Sequence, residues 1–317
     1  LGNFFNLIHN ELTKIYIQKA TWVMYTILAV VIIGAGIIVN TADDIKVSYG
    51  EDTWRAELQE ENEQLTTEME GEEFLESINS PLIERNNYYL ENDIQPAGYG
   101  AWNFVMENSM LLSLVSLFTI IVAAGIVANE FRWGTIKLLL IRPISRTRIL
   151  ASKYISVLLF ALFTLLFVLI WSWIIGAIFF GIEGWNPYTV LNKSSGVEYV
   201  SIISEIISDY GYQLVNLIMM ATFAFMVSSV FRNSALAVGT SIFLMMAGKS
   251  IVAFFSDRAW AKYILFANTD LSQYTNGNEP LIEGMSLSFS ITVLLVYFVL
   301  FLAASWGVFK QRDIAGH

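Results

Sequence analysis

Cysteine is absent from the 317 residues. Disulfides and thiolate metal sites are thereby excluded, and cysteine usage says nothing about redox compartment. Histidine is scarce: His9 and His317 lie near the two ends, so no histidine-based metal or catalytic centre is expected. Charge is scarce as well, at 15% of residues against about 25% in soluble domains. Sequences of the type H-E-x-x-H or G-x-S-x-G are missing, as are paired carboxylates inside an apolar run, so no catalytic set is expected. Gly248-Lys249-Ser250 has the ending of a phosphate-binding loop, but Phe243 stands where its first glycine belongs. The surroundings are apolar and no strand precedes them, so nucleotide binding by this chain is excluded. Lys249 is expected to snorkel to a membrane interface or to pair with a nearby acid. Asn192-Lys193-Ser194 fits a glycosylation sequon and is read as chance.

What is abundant is apolar surface in long runs. Hydrophobic residues make up 55% of the chain, and about 20 apolar residues cross a bilayer as a helix. Six spans are expected, at 20–40, 108–128, 149–180, 213–230, 235–255 and 287–309. The third exceeds one crossing, so it should tilt, extend past the membrane or end in a turn. The fifth is interrupted by Gly248 and Lys249. The fold class is thus an all-α membrane protein with six transmembrane helices.

Lys and Arg orient it. The side holding the termini, loop 129–148, turn 231–234 and tail 310–317 carries eleven of the eighteen basic residues, crowded into short loops. Only Glu11, Glu130 and Asp313 accompany them there. That side is read as cytoplasmic, in a bacterial plasma membrane. Segment 1–19 places Leu7, Ile8, Leu12, Ile15 and Tyr16 at helical spacing, which suggests an interfacial helix along the inner leaflet. It is not read as a cleavable signal, since no small-residue cleavage site follows the first apolar run.

The outer side holds 41–107, 181–212 and 256–286, the last a candidate re-entrant segment. Residues 41–100 contain sixteen Asp or Glu and three Lys or Arg. Trp54, Leu58, Leu65 and Met69 form a short heptad-like stripe. Phe74, Leu75, Ile78, Leu82 and Ile83 continue an apolar face, with Gly71 and Pro81 as helix breaks. A small helical hairpin is expected, its acids forming a solvated face. Tyr88, Tyr89, Tyr99 and Trp102 read as interface anchors.

The most informative stretch runs from Asn129 to Arg146. Phe131, Thr135, Leu138 and Leu139 recur at helical spacing, and Pro143 closes the pattern. A short basic helix between two spans follows, with exposed aromatic knobs at Phe131 and Trp133 that a topology marker alone would not need. Glu130, Gly134-Thr135, Pro143, Ser145-Arg146 and Ser152-Lys153 together resemble the ABC-2 type permeases of bacterial ABC transporters. The six spans, inner termini and amphipathic entry helix agree with that family; sharp motif identity is confined to this loop.

The resemblance implies a coupling helix that docks in a groove of a separate ATPase. Its contact residues would be Glu130, Phe131, Arg132, Trp133, Gly134, Thr135, Ile136 and Lys137, with aromatic anchors and charges that set register. It further implies an exporter in which two ATPase subunits bind ATP and magnesium, this chain holds no cofactor, and a second permease copy completes the pore, a homodimer before a heterodimer. Antimicrobial peptides, drugs or ions are the implied cargoes. The lipid bilayer is a partner; nucleic acid is not. Two other classes predict features the sequence lacks. An ion-gradient transporter calls for acids or broken helices at mid-bilayer. A membrane sensor calls for a cytoplasmic signalling domain.

Overall fold

A computed structural model describes residues 2–41, 50, 52–69, 73–135, 144–182, 184–193, 196–274, 280 and 282–311. Helix α1 (Gly2–Ile17) turns sharply into α2 (Lys19–Thr41). The turn is held by α2 side chains that satisfy the end of α1. Thr21 Oγ1 donates to Ile15 O at 2.5 Å and Trp22 Nε1 to Tyr16 O at 2.9 Å, supplying donors to carbonyls that a helix C-terminus leaves open.

Helices α3 (Trp54–Glu68) and α4 (Glu73–Glu91) follow. Helix α5 (Ala101–Glu107) passes through a tight turn at Asn108–Leu111 into α6 (Leu112–Arg132). Then come α7 (Arg146–Phe180), strands β1 (Tyr188–Lys193) and β2 (Gly196–Ser201), α8 (Ile202–Phe231) and α9 (Ser234–Phe254). The short α10 (Leu265–Asn268) and the long α11 (Leu287–Gln311) complete the order.

Six helical stretches of 21 to 35 residues are long and apolar enough to cross a membrane: α2, α5 with α6, α7, α8, α9 and α11. All six expected spans are present, with shifted edges. The second begins at Ala101 rather than 108, because α5 continues the helix into what read as the acidic segment. The fourth begins at Ile202, where Ser201 Oγ accepts from Ser204 N at 3.4 Å as an N-cap. The third is a single 35-residue helix, about 52 Å long at 1.5 Å per residue, and so outruns a hydrocarbon core of about 30 Å. Gly248 and Lys249 do not break α9. Gly248 instead makes room for the Phe266 ring, which a Cβ there would strike.

Helix α8 is central, packing on α6, α7, α9 and α11. Its seam with α6 carries small buried residues on both helices, Ala123, Ala124 and Ala128 on α6 and Ala221 and Ala224 on α8, among larger ones such as Ile120, Val127, Met220 and Phe225. Small residues let helix backbones approach closely in lipid. Ser228 Oγ donates to Ala124 O at 2.7 Å and accepts from Ala128 N at 3.1 Å, so one α8 hydroxyl bridges successive turns of α6. Helix α7 packs on α1, α2, α5 and α6. Gly176 of α7 meets the Ala101 backbone, where a Cβ would lie 2.9 Å from Ala101 Cα.

A second, smaller unit stands at the end of the bundle away from α1. Strands β1 and β2 pair antiparallel, Tyr188 opposite Ser201. This hairpin was not expected from the sequence. Trp54, Leu58, Tyr89 and Val190 form its shared core with α3 and α4. Tyr89 is therefore not an interface anchor: it is buried, and its hydroxyl accepts from Val190 N at 3.0 Å. Pro81 lies inside α4 without ending it, and its carbonyl accepts from Asn192 Nδ2 at 2.7 Å. Phe74 and Ile78, read as part of an apolar face, are exposed. The expected break at Gly71 lies outside the described residues.

Candidate functional site

The site begins in the amphipathic pattern of α1. Ile8, Glu11 and Ile15 are its buried residues, spaced three and four apart on one helix face. That face rests on α7, where Ser156 Oγ donates to Ile8 O at 3.2 Å. The spacing therefore carries a carboxylate, Glu11, into a packed helix interface.

Two other elements bring charges to meet it. Lys153 of α7 is 0% exposed. Its Nζ lies 2.7 Å from Glu11 Oε2 and 2.7 Å from Glu130 Oε1, in the last turns of α6. Lys14, half-exposed, closes the ring at 2.7 Å from Glu11 Oε1 and 3.0 Å from Glu130 Oε1. Two carboxylates and two ammonium groups thus form a neutral cluster that ties α1, α6 and α7 together. Charge-assisted bonds of this length are the strong ones. Burial pushes the Glu11 carboxyl up, but Lys153 and Lys14 outweigh it and hold it below the usual value. Burial likewise pushes Lys14 down, and Glu11 with Glu130 outweighs it, raising it above the usual value. Glu130 Oε2 has no hydrogen-bond partner among the described residues. It borders a mostly apolar cavity of about 500 Å³, lined among others by Met24, Ile121, Ile126 and Trp133.

The residues singled out around the loop separate into distinct environments. Glu130 is 7% exposed and belongs to the cluster. The register-setting contact expected of it is corrected, since its Oε1 faces the lysines inside the fold. Phe131, expected as an exposed knob, is half-buried. Its ring packs against Phe309 at 6.4 Å and under the Arg232 guanidinium at 4.2 Å. Arg232 caps α8 in the left-handed conformation. Arg132 ends α6, and Trp133 is 64% exposed. Gly134 has φ +70°, a conformation that favours glycine, and its N–H donates to Phe131 O at 3.2 Å. The chain turns at 133–135, so a helix continuing from Phe131 through Thr135 is not formed. Thr135 Oγ1 donates to Glu130 O at 3.4 Å. Ile136 and Lys137, with Leu138, Leu139 and Pro143, lie outside the described residues.

Before α7, Ser145 Oγ accepts from Arg148 N at 3.4 Å and caps the helix. Arg146 Nη1 donates to Lys310 O at 3.1 Å. The two roots of the loop, the turn at 232–233, α1 and the end of α11 thus share one end of the bundle, as the even number of spans required. Glu130, read as a loop residue just past the second span, lies inside α6 and is buried. Glu11, Lys14 and Lys153 had counted only as topology charges or motif positions. The signal for Glu11 was present: it interrupts the stripe Ile8-Glu11-Ile15 at a position that has to be buried.

The fold and this site define a multi-pass α-helical membrane protein with a charge cluster at the end that carries its termini. Residues 75–315 match the family described as protein of unknown function DUF2705, and the chain belongs to that family. It is 45% identical over 316 residues to the uncharacterized protein YhcI of Bacillus subtilis, covering 98% of this chain and 99% of that one. It is also 34% identical over 203 residues to the uncharacterized membrane protein YdbK of the same organism, covering 63% of this chain and 78% of that one.

Proposed function

We propose that this chain is the membrane-spanning permease subunit of an ABC transporter of the ABC-2 type, an exporter in a bacterial plasma membrane. In this reading the clustered basic residues put both termini and the 133–145 loop in the cytoplasm. Helix α1 lies along the inner leaflet, and the α3–α4–hairpin unit stands outside. Two ATPase subunits bind ATP and magnesium and engage the loop, and a second permease copy completes the pathway.

The observation that carries this reading is the cluster of Glu11, Lys14, Glu130 and Lys153 at the root of the loop. A motor that pushes on a loop does work only if the loop cannot yield independently of the spans. Here the loop leaves α6 at the turn after Glu130 and enters α7 seven residues before Lys153, and both are held to α1 by the same charges. Displacement of the loop therefore moves three elements together. Exposed Trp133 offers the partner an aromatic anchor beside this rigid base.

The test is affinity purification from native membranes in mild detergent, with identification of what accompanies the chain. An ABC-type ATPase is expected in stoichiometric amount. Recovery of the chain without any ATPase, under conditions that preserve known complexes of that host, overturns the reading.

A further inference from the structure

A cavity of about 710 Å³ opens at the end of the bundle opposite the charge cluster, where α6, α8 and α9 part. That volume suits a drug-sized molecule. Its wall is amphipathic. Met110, Met220, Met245 and Met246 line it, four of the ten methionines in the chain. Thioether side chains adapt to ligands of varied shape. Tyr212 and Phe266 add aromatic surface, and hydroxyls and amides such as Ser113, Ser116 and Asn216 stand between them. Gln213 is fixed in place, its Nε2 donating to Ser116 Oγ at 3.1 Å and Leu112 O at 3.3 Å.

Three charged residues line the cavity: Asp209, Lys249 and Asp270. Two of them cancel. Lys249 Nζ lies 2.7 Å from Asp270 Oδ2, the pairing expected as one fate for this lysine. Asp270 Oδ1 accepts from Ser272 Oγ at 2.5 Å and from Ser272 N at 3.2 Å. Burial pushes the Asp270 carboxyl up, but the hydrogen bonds from Lys249 and Ser272 outweigh it and keep it below the usual range. Asp209 is different. It stands two turns into α8, partly buried, with no hydrogen bond or salt bridge among the described residues; the charges that act on it are Glu205, one turn earlier, and Lys193, which is itself paired with Glu205 at 2.8 Å. A carboxylate inside an apolar bundle is costly until a cation joins it.

We propose that this cavity binds an amphipathic organic cation. The apolar body packs on the methionines and Phe266, the cationic group sits at Asp209, and Tyr212 adds a ring face for the charge. A bare metal ion would leave the apolar wall unused, and an anionic amphiphile of the same shape would meet the unmatched carboxylate. The proposal deepens the transporter reading by naming its substrate class and rests on that reading only for translocation; binding needs this chain alone.

The experiment measures tetraphenylphosphonium binding to the purified full chain in nanodiscs of zwitterionic lipid, with empty nanodiscs as background. Saturable binding is expected, with no comparable binding of tetraphenylborate, which has the same shape and the opposite charge. Asp209→Asn should weaken binding about tenfold or more, and Asp209→Glu should keep it. Ser113→Trp, at an exposed wall position, should abolish it by filling the space. Equal binding of the two ions overturns the proposal, and so does unchanged affinity in Asp209→Asn or in Ser113→Trp. Cation binding without an ATPase partner would sink the transporter reading and keep the site; an ATPase partner without cation binding would do the reverse.

Discussion

Lys153 shows what a single residue carries in this fold. Taking an ammonium group out of water costs several kcal/mol, recovered only when partners and geometry are good. Here two carboxylates stand at 2.7 Å. Lys153→Met should therefore destabilise the chain by about 3–5 kcal/mol, because it leaves Glu11 and Glu130 facing each other. Pairing it with Glu130→Gln should recover a large part of that loss. Denaturation in detergent of the two single variants and the double gives the coupling directly. A loss within about 0.5 kcal/mol, as for a surface change, would mean that the cluster holds nothing. The same cluster sets a pH response. The lowered Glu11 contributes stability above its ordinary value of 4.5, lost as pH falls through its folded value. The raised Lys14 contributes stability below its ordinary value of 10.5, lost as pH rises through its folded value. The cluster's contribution to stability should be flat between these limits and fall on both sides, and Glu11→Gln should remove the part of the acid limb due to this carboxyl.

At the scale of elements, the end of α6 is set by one glycine. Gly134 sits at φ +70° with nothing within 4 Å of an added Cβ, so its replacement meets no clash, only the wrong backbone region. Gly134→Ala should cost about 1 kcal/mol for that reason alone. A variant as stable as the parent would show that the turn does not need this conformation. The small unit of α3, α4 and the hairpin depends on a polar tie between helix and strand. Tyr89→Phe leaves Val190 N without its partner, a loss of about 1–3 kcal/mol for a buried donor. Amide exchange should accelerate in β1 while the spans stay protected; unchanged protection at Val190 would refute the tie.

For the whole molecule, the arrangement separates a rigid end from an open one. The charge cluster locks α1, α6 and α7 at the end of the termini, while α6, α8 and α9 part around the cavity at the other. Trp133 lies outside the locked core at 64% exposure, so Trp133→Asp should leave detergent stability within about 0.5 kcal/mol. In the transporter reading it should sharply reduce the ATPase recovered with the chain. Full recovery of the ATPase with this variant would remove Trp133 from the contact.

The six spans were legible because crossing length and apolarity are local properties of a run of residues, and a helix in lipid closes its own hydrogen bonds. The grouping of loop, turn and termini at one end followed from span parity and was met by the Arg146–Lys310 and Phe131–Phe309 contacts. The β-hairpin was not legible, since Tyr188–Ser201 gains its apolar partners from α3 and α4, some hundred residues earlier. Nor was the true setting of Glu130. A basic loop residue and a buried cation look alike in a charge count. Lys153 and Glu11 are 142 positions apart, and only packing decides which charges leave water together. The sequence by itself determined a helical membrane chain with six apolar spans. The tertiary structure decided that Glu130, in the last turns of α6, faces Lys14 and Lys153 inside the fold, because long-range electrostatics depends on which helices meet.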